Sequence, residues 1–203
     1  MKRFAQVISV VFHPLLVPSY VFLVLIHTYS QYSVMLPHNY TNLILLLVFL
    51  TSFILPLVII LIMLKMKVIE SLEMKTKQER ALPLLLTAGF YYLTYHFLKQ
   101  TPYFALFNFF MLGSALLAII SLLVNYFKKI SLHMVSMGGM FGAFIGFSLA
   151  IGHNYTTLII LIALMAGLTG FARLKLNTHT ETEVYSGFVL GFVVMAGVFL
   201  VTI

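Results

Sequence analysis

A chain of 203 residues that is 62% hydrophobic and only 8% charged cannot clothe itself in a polar shell; soluble domains carry roughly 25% charged residues. The bilayer is the solvent that fits such a composition. The absence of cysteine excludes disulfides and thiolate metal sites, and the formal net charge of +7 does not point to nucleic acid, because the cations sit in short gaps between apolar runs and not along a polar exposed surface.

Seven runs are long enough to cross a hydrocarbon core, which takes ~20 apolar residues as helix. They cover residues 5–27, 43–64, 81–98, 104–127, 133–152, 155–172 and 184–203. Helix is expected throughout, since unpaired backbone is too costly in lipid for anything but a helix or a closed barrel. No ten-residue alternating pattern suggests a barrel. The first run holds Pro14 and Pro18, each of which removes a helical hydrogen bond, so it is expected to be kinked, re-entrant or interfacial. It has no small-residue cleavage site and is not read as a signal peptide. The expected architecture is an all-α polytopic bundle of six to seven spans in one transmembrane domain, residues 1–203, with no internal repeat.

Charge gathers in three gaps. The first holds Lys65, Lys67, Glu70, Glu73, Lys75, Lys77, Glu79 and Arg80; the second Lys128 and Lys129; the third Arg173, Lys175, Glu181 and Glu183. An even number of spans separates these gaps, so they open on one face. Together they hold 14 of the 17 charged residues, and only Lys2, Arg3 and Lys99 lie elsewhere. Positive-inside sorting explains the cations. It does not explain why all five acids, every one a glutamate, join them, nor why His133 and His179 lie at the same depth.

The third gap reads Arg173, five residues, His179, three residues, Glu183, and continues Val184-Tyr185-Ser186-Gly187. The second reads Lys129-Ile130-Ser131-Leu132-His133, and the first runs from Lys75 through Lys77 and Arg80 to Pro83. Three phosphate-friendly clusters in this order resemble the type 2 phosphatidic acid phosphatase superfamily, the membrane lipid phosphate phosphatases. That family's signature is Lys-x6-Arg-Pro, then Pro-Ser-Gly-His, then Ser-Arg-x5-His-x3-Asp. The opening FHPLLVPSY and the KISLHM segment are similar to small bacterial members. The resemblance covers residue 65 to the C terminus.

The resemblance implies a bundle with the family's core and a metal-independent hydrolase needing no cofactor. His179 would be the nucleophile, forming a phosphohistidine, and Glu183 would hold its other imidazole nitrogen. His133 would protonate the leaving alkoxide. Arg173 and Arg80 would clamp phosphate oxygens, Lys77 or Lys75 would add a point charge, and Ser131 would complete the cradle. The implied substrate is a lipid phosphomonoester or polyprenyl diphosphate; a non-catalytic lipid-phosphate binder or scaffold on the same fold is the alternative. Several positions depart from the signature. Glu183 replaces Asp, Leu132 replaces Gly, Ile130 replaces Pro and Ala172 replaces Ser. Counting seven back from Arg80 reaches Glu73 instead of a lysine, and Pro83 stands three residues after Arg80.

Plainer roles are open for the same residues. Glu183 fits the third position of a capping box with Thr180, and Glu181 fits one with Thr178. Lys128 and Lys129 read as headgroup anchors. His13, His27, His38, His96 and His153 show no ligand spacing. The aromatic-rich third and fourth runs, from Tyr91 to Phe110, read as core or lipid-facing surface. Gly138, Gly142 and Gly146 recur every four residues, as do Gly187 and Gly191; small residues so spaced let helices pack backbone to backbone. Packing of these two runs within the chain would bring His133 and His179 together, and a homodimer would use the same faces. With seven spans, 11 of the 12 Lys and Arg residues share the motif face, which favours a cytoplasmic side for that face, while the resemblance implies a bacterial inner membrane; six spans, with the first run not crossing, would move Lys2 and Arg3 to the other side.

Overall fold

Prolines and glycines mark where the helices of this chain break and where they touch. The computed structural model describes residues 1–28, 38–72, 74, 76–100 and 105–202. Glu73 and Lys75, both named from the sequence, lie outside them. Nine α-helices follow in order among the described residues: α1 (Lys2–Val11), α2 (Val17–Thr28), α3 (His38–Phe49), α4 (Leu55–Lys65), α5 (Lys77–Leu98), α6 (Ala105–Phe127), α7 (Leu132–Ile151), α8 (Thr156–Lys175) and α9 (Glu181–Thr202). A 3₁₀ turn at Pro14–Leu16 separates α1 from α2, and a π-helical turn at Leu50–Ile54 joins α3 to α4.

Among the described residues, six stretches are long and apolar enough to cross a membrane: Lys2–Thr28, Tyr40–Lys65, Ala105–Phe127, Leu132–Ile151, Thr156–Lys175 and Glu181–Val201. The protein is an all-α helical bundle and an integral membrane protein. The run at 81–98 does form a helix, α5, but it is not one of the six. Thr87, Tyr91, Tyr92, Thr94, Tyr95 and His96 dilute its apolar character. It also starts earlier than the apolar run, because Thr76 and Glu79 close a capping box: the Thr76 hydroxyl accepts from the Glu79 N–H, and the Glu79 carboxylate accepts from the Thr76 N–H.

The chain divides into two compact units, Met1–Val17 with Ile119–Ile203, and Pro18–Ala118. In the second unit, Phe22 packs against Phe107 and Phe110, with ring centroids 4.5 and 6.2 Å apart. The π turn has a local cause. Pro56 offers no N–H to the turn before it and its ring crowds the carbonyl four residues back, so the helix widens there and Leu55 bonds to Leu50. Thr51 and Ser52, carried on that turn, are buried, and Thr94 donates to the Thr51 hydroxyl at 2.7 Å.

In the first unit, α7 packs on α9 in its most extensive helix–helix interface, and α8 packs on α7 and α1. The glycines dictate how closely α7 and α9 approach. A methyl group on Gly191 would run into the Val135 carbonyl and stand 2.7 Å from the Gly139 nitrogen; one on Gly142 would stand 2.7 Å from the Phe192 oxygen; one on Gly187 would stand 2.8 Å from the Ser131 oxygen. The two helices therefore meet backbone to backbone, as small-residue repeats permit. Phe141 lies beside Phe188 and Phe192, and Phe147 packs edge-on to Phe199 at 4.7 Å, filling the flanks. The shorter contact of α1 also uses small residues: Ala5 and Ser9 are buried, whereas Phe4, Val7 and Val10 are exposed.

Because the neighbours of Gly191 are main-chain atoms that cannot swing away, Gly191→Ala is expected to cost about 1–3 kcal/mol, the usual penalty of overpacking. Gly167→Ala, with nothing within 4 Å of the added carbon, is expected to leave the melting temperature unchanged. Thermal unfolding of both variants in one detergent checks the contrast, and equal melting temperatures would contradict the backbone-to-backbone contact.

Candidate functional site

The α7–α9 contact sets the two histidine-bearing helix starts side by side. The Ser131 N–H donates to the Glu183 carbonyl at 3.1 Å, joining the entry of α7 to the first turn of α9. Ser131 is the N-cap residue of α7 by its extended backbone, yet its hydroxyl makes no capping bond. That hydroxyl is fully buried and has no hydrogen-bond partner among the described residues. His133 follows on the first turn of α7.

On the other side, α8 ends at Lys175, and a short turn through Asn177, with φ of 54°, reverses the chain into α9. Lys129 bridges this turn. Its ammonium donates to the Thr178 carbonyl at 3.0 Å and lies 3.9 Å from the Glu183 carboxylate. Lys129 was expected to be a headgroup anchor; here its charge is directed at Glu183. The Thr178 hydroxyl donates to the Arg173 carbonyl at 3.1 Å and so belongs to the end of α8. The capping box expected for Thr180 and Glu183 is present, with both bonds at 3.4 Å.

Glu183 serves a second purpose at the same time. Its Oε2 accepts a hydrogen bond of 2.7 Å from Nδ1 of His179. A carboxylate only accepts, so Nδ1 carries the proton and Nε2 keeps its lone pair. The His179 side chain is 6% exposed. Burial, first, pulls its pKa from 6.5 down to about 4; the bond to Glu183 opposes that, the charges of Arg173 and Lys129 add to it, and the Glu183 charge opposes it. At neutral pH this imidazole is therefore uncharged, with one nitrogen protonated by design of its neighbour and the other nucleophilic.

The remaining members come from α1. His133 Nε2 lies 2.9 Å from the Ser9 carbonyl oxygen, and Arg173 Nη1 donates to the Ser9 hydroxyl at 3.4 Å. The His13 ring meets the His133 ring edge to face, with centroids 5.4 Å apart and planes at 82°. His133 is within electrostatic reach of Arg173, His13 and His179. Of the residues expected from the sequence, His179, Glu183, His133, Arg173 and Ser131 thus share one end of the first unit. Lys129, Ser9 and His13 join them without having been foreseen. Lys129 was visible as a charge in the right gap. Ser9 carried no local signal, because its partners lie 124 and 164 residues along the chain; His13 stood beside the expected break at Pro14 but showed no ligand spacing.

Arg80 and Lys77 belong to the other unit. Arg80 is buried on the first turn of α5, and its Nε donates to the Met74 carbonyl at 2.6 Å. Glu79 beside it accepts from the N–H groups of Glu70 and Thr76, at 2.7 and 3.1 Å. Together they tie Glu70 and Met74 to the start of α5, and Lys67 and Met74 take positive φ. Lys77 is the exposed first residue of α5. Among the described residues, no group of three or more His, Cys, Asp or Glu side chains is placed to hold a metal ion. No protein-family model, curated protein or solved structure matches the chain.

Because the unfolded chain takes up a proton at His179 near pH 6.5 and the folded chain does not until about pH 4, this residue makes stability fall as pH drops through that window. Above pH 7 it contributes no pH dependence. Titration of nitrogen-labelled histidine in detergent micelles is expected to show His179 neutral at pH 5. Glu183→Gln removes the charge that favours protonation, so it should lower the His179 pKa further. A His179 midpoint near 6.5 in the wild-type protein would contradict the burial of this side chain.

Proposed function

We propose that the protein is a membrane-embedded phosphatase that hydrolyses a lipid phosphate or polyprenyl diphosphate through a phosphohistidine on His179. The observation that carries this reading is the 2.7 Å bond between His179 Nδ1 and Glu183, which leaves Nε2 as the lone-pair nitrogen in a setting also flanked by Arg173 and Lys129. Two steps follow. His179 Nε2 attacks phosphorus as the P–O bond to the lipid breaks, and Glu183 holds the Nδ1 proton as the ring becomes positive. Water then attacks the phosphohistidine, the N–P bond breaks, and inorganic phosphate leaves.

Arg173 supplies a planar donor fork to the phosphoryl oxygens, and Lys129 adds charge from the side of Glu183. Ser131, buried with its hydroxyl free among the described residues, offers a further donor at the start of α7, where the helix end also favours an anion. His133 is the acid. When its ring is protonated, Nε2–H stays on the Ser9 carbonyl and Nδ1–H is the proton available to the leaving alkoxide. After delivery, Nδ1 can accept a proton from the attacking water. Arg80 and Lys77, in the other unit, and Lys75, outside the described residues, carry no step of this reading.

Lys128, Lys129, Arg173 and Lys175, in the two gaps that flank the site in the first unit, support a cytoplasmic face for this end of the helices, and the resemblance to small bacterial members supports an inner membrane. Lateral entry would let the lipid tail stay in the hydrocarbon while the phosphate reaches the polar end of the helices. A second reading, lipid-phosphate binding without turnover, draws support from Arg80, whose Nε is committed to a backbone carbonyl.

Purified protein is expected to release inorganic phosphate from at least one of phosphatidic acid, phosphatidylglycerol phosphate and a polyprenyl diphosphate. His179→Ala should lower the rate by roughly a thousandfold or more, the scale of losing a covalent nucleophile. Retention of more than a tenth of the rate in His179→Ala would exclude the phosphohistidine route. Binding of these lipids with no release by the wild type would favour the second reading.

A further inference from the structure

The end of α1 carries an unusual set of loose backbone groups, and its cause is a single residue. In a continued helix the His13 N–H would bond to the Ser9 carbonyl, and the N–H of residue 14 to Val10. Pro14 has no N–H. The His13 N–H turns instead to the Val10 carbonyl at 3.2 Å, while Phe12 still bonds to Ile8 at 2.9 Å. The Ser9 carbonyl is thereby passed over, one of the last-turn acceptors that a helix must satisfy from outside. His133 Nε2 reaches it at 2.9 Å. The same residue's hydroxyl takes Arg173, and His13, the residue at the break, lays its ring against His133.

We propose that Pro14 and Ser9 are positioning residues of the site: the helix break frees the Ser9 carbonyl to fix the tautomer of His133, and the Ser9 hydroxyl orients Arg173. A carbonyl oxygen only accepts, so His133 is held with its proton on Nε2 and with Nδ1 as the nitrogen that exchanges protons. The N-terminal helix is thus part of the site's machinery and not only an anchor in the bilayer. Its catalytic consequence rests on the phosphatase reading above; its structural content does not.

The two roles separate by variant. Pro14→Ala restores an N–H for Val10 and returns the His13 N–H to Ser9, in competition with His133. Ser9→Ala removes the hydroxyl but keeps the carbonyl. The full chain, labelled with nitrogen-15 histidine and reconstituted in micelles, reports the tautomer of His133 directly, with His133→Gln assigning the signal. The wild type is expected to show the Nε2–H form. In Pro14→Ala the ratio of Nε2–H to Nδ1–H should fall roughly tenfold, the worth of one hydrogen bond. In Ser9→Ala the tautomer should hold while KM rises roughly two- to fivefold, the cost of one weak donor contact; Pro14→Ala should instead lower kcat. An Nδ1–H form in the wild type overturns the proposal without recourse to any variant, as does an unmoved tautomer in folded Pro14→Ala. An Nε2–H form in a chain that releases no phosphate would leave the positioning intact and remove the phosphatase reading instead.

Discussion

The seating of α9 on α7 is the contact on which the rest of the site depends. Glycine at positions 187 and 191 lets the backbone of α9 rest against that of α7 at Ser131, Val135 and Gly139. Side chains at such a contact would hold the two axes further apart by their own thickness. At the polar end of the pair, this closeness brings the Ser131 N–H within bonding distance of the Glu183 carbonyl. His133 and His179 are then fixed in relation to each other by backbone, with little freedom left to rotamers. On the proposed phosphatase reading, a nucleophile and an acid held this way would gain from such rigidity, since small misplacements of reacting groups are costly.

Charge placement follows from that frame. Glu183 answers several demands at once: it caps α9, meets Lys129 and binds His179. The extra methylene that distinguishes it from an aspartate is compatible with the direct 2.7 Å bond, because His179 precedes the helix and Glu183 reaches back to it from the first turn. Arg173 comes from the opposite direction, at the end of α8, where a cation is favoured by the helix dipole. The imidazole of His179 is buried between an anion and two cations, and burial keeps it neutral.

Much of the bundle could be read from the chain because apolar length and proline position act locally. The break near Pro14 was expected, and so was the pairing of His179 with Glu183, since four residues at a helix start bring two side chains together. The glycine repeats marked the right helices. What escaped were relations created only by tertiary packing. The run around Ser9 and His13 showed its break at Pro14 but no ligand spacing, and the importance of the two residues arises from contact with His133 and Arg173. Lys129 looked like a lipid anchor because its neighbour Lys128 and the gap's position suggested nothing more specific. The start of α5 differs for another reason: the apolar run begins at Ala81, whereas Thr76 and Glu79 cap the helix a turn earlier.

The proposed phosphatase mechanism turns on one nitrogen atom, Nε2 of His179. Rapid acid-free quenching of the protein with a labelled lipid phosphate, followed by peptide mapping and phosphorus NMR, would locate any phosphoryl group carried by the chain. On that mechanism an acid-labile, base-stable phosphoramidate forms on His179 at Nε2 and is lost within the turnover time. Phosphate release with no phosphorylated protein, or a phosphoryl group on Nδ1 or on another residue, would contradict it.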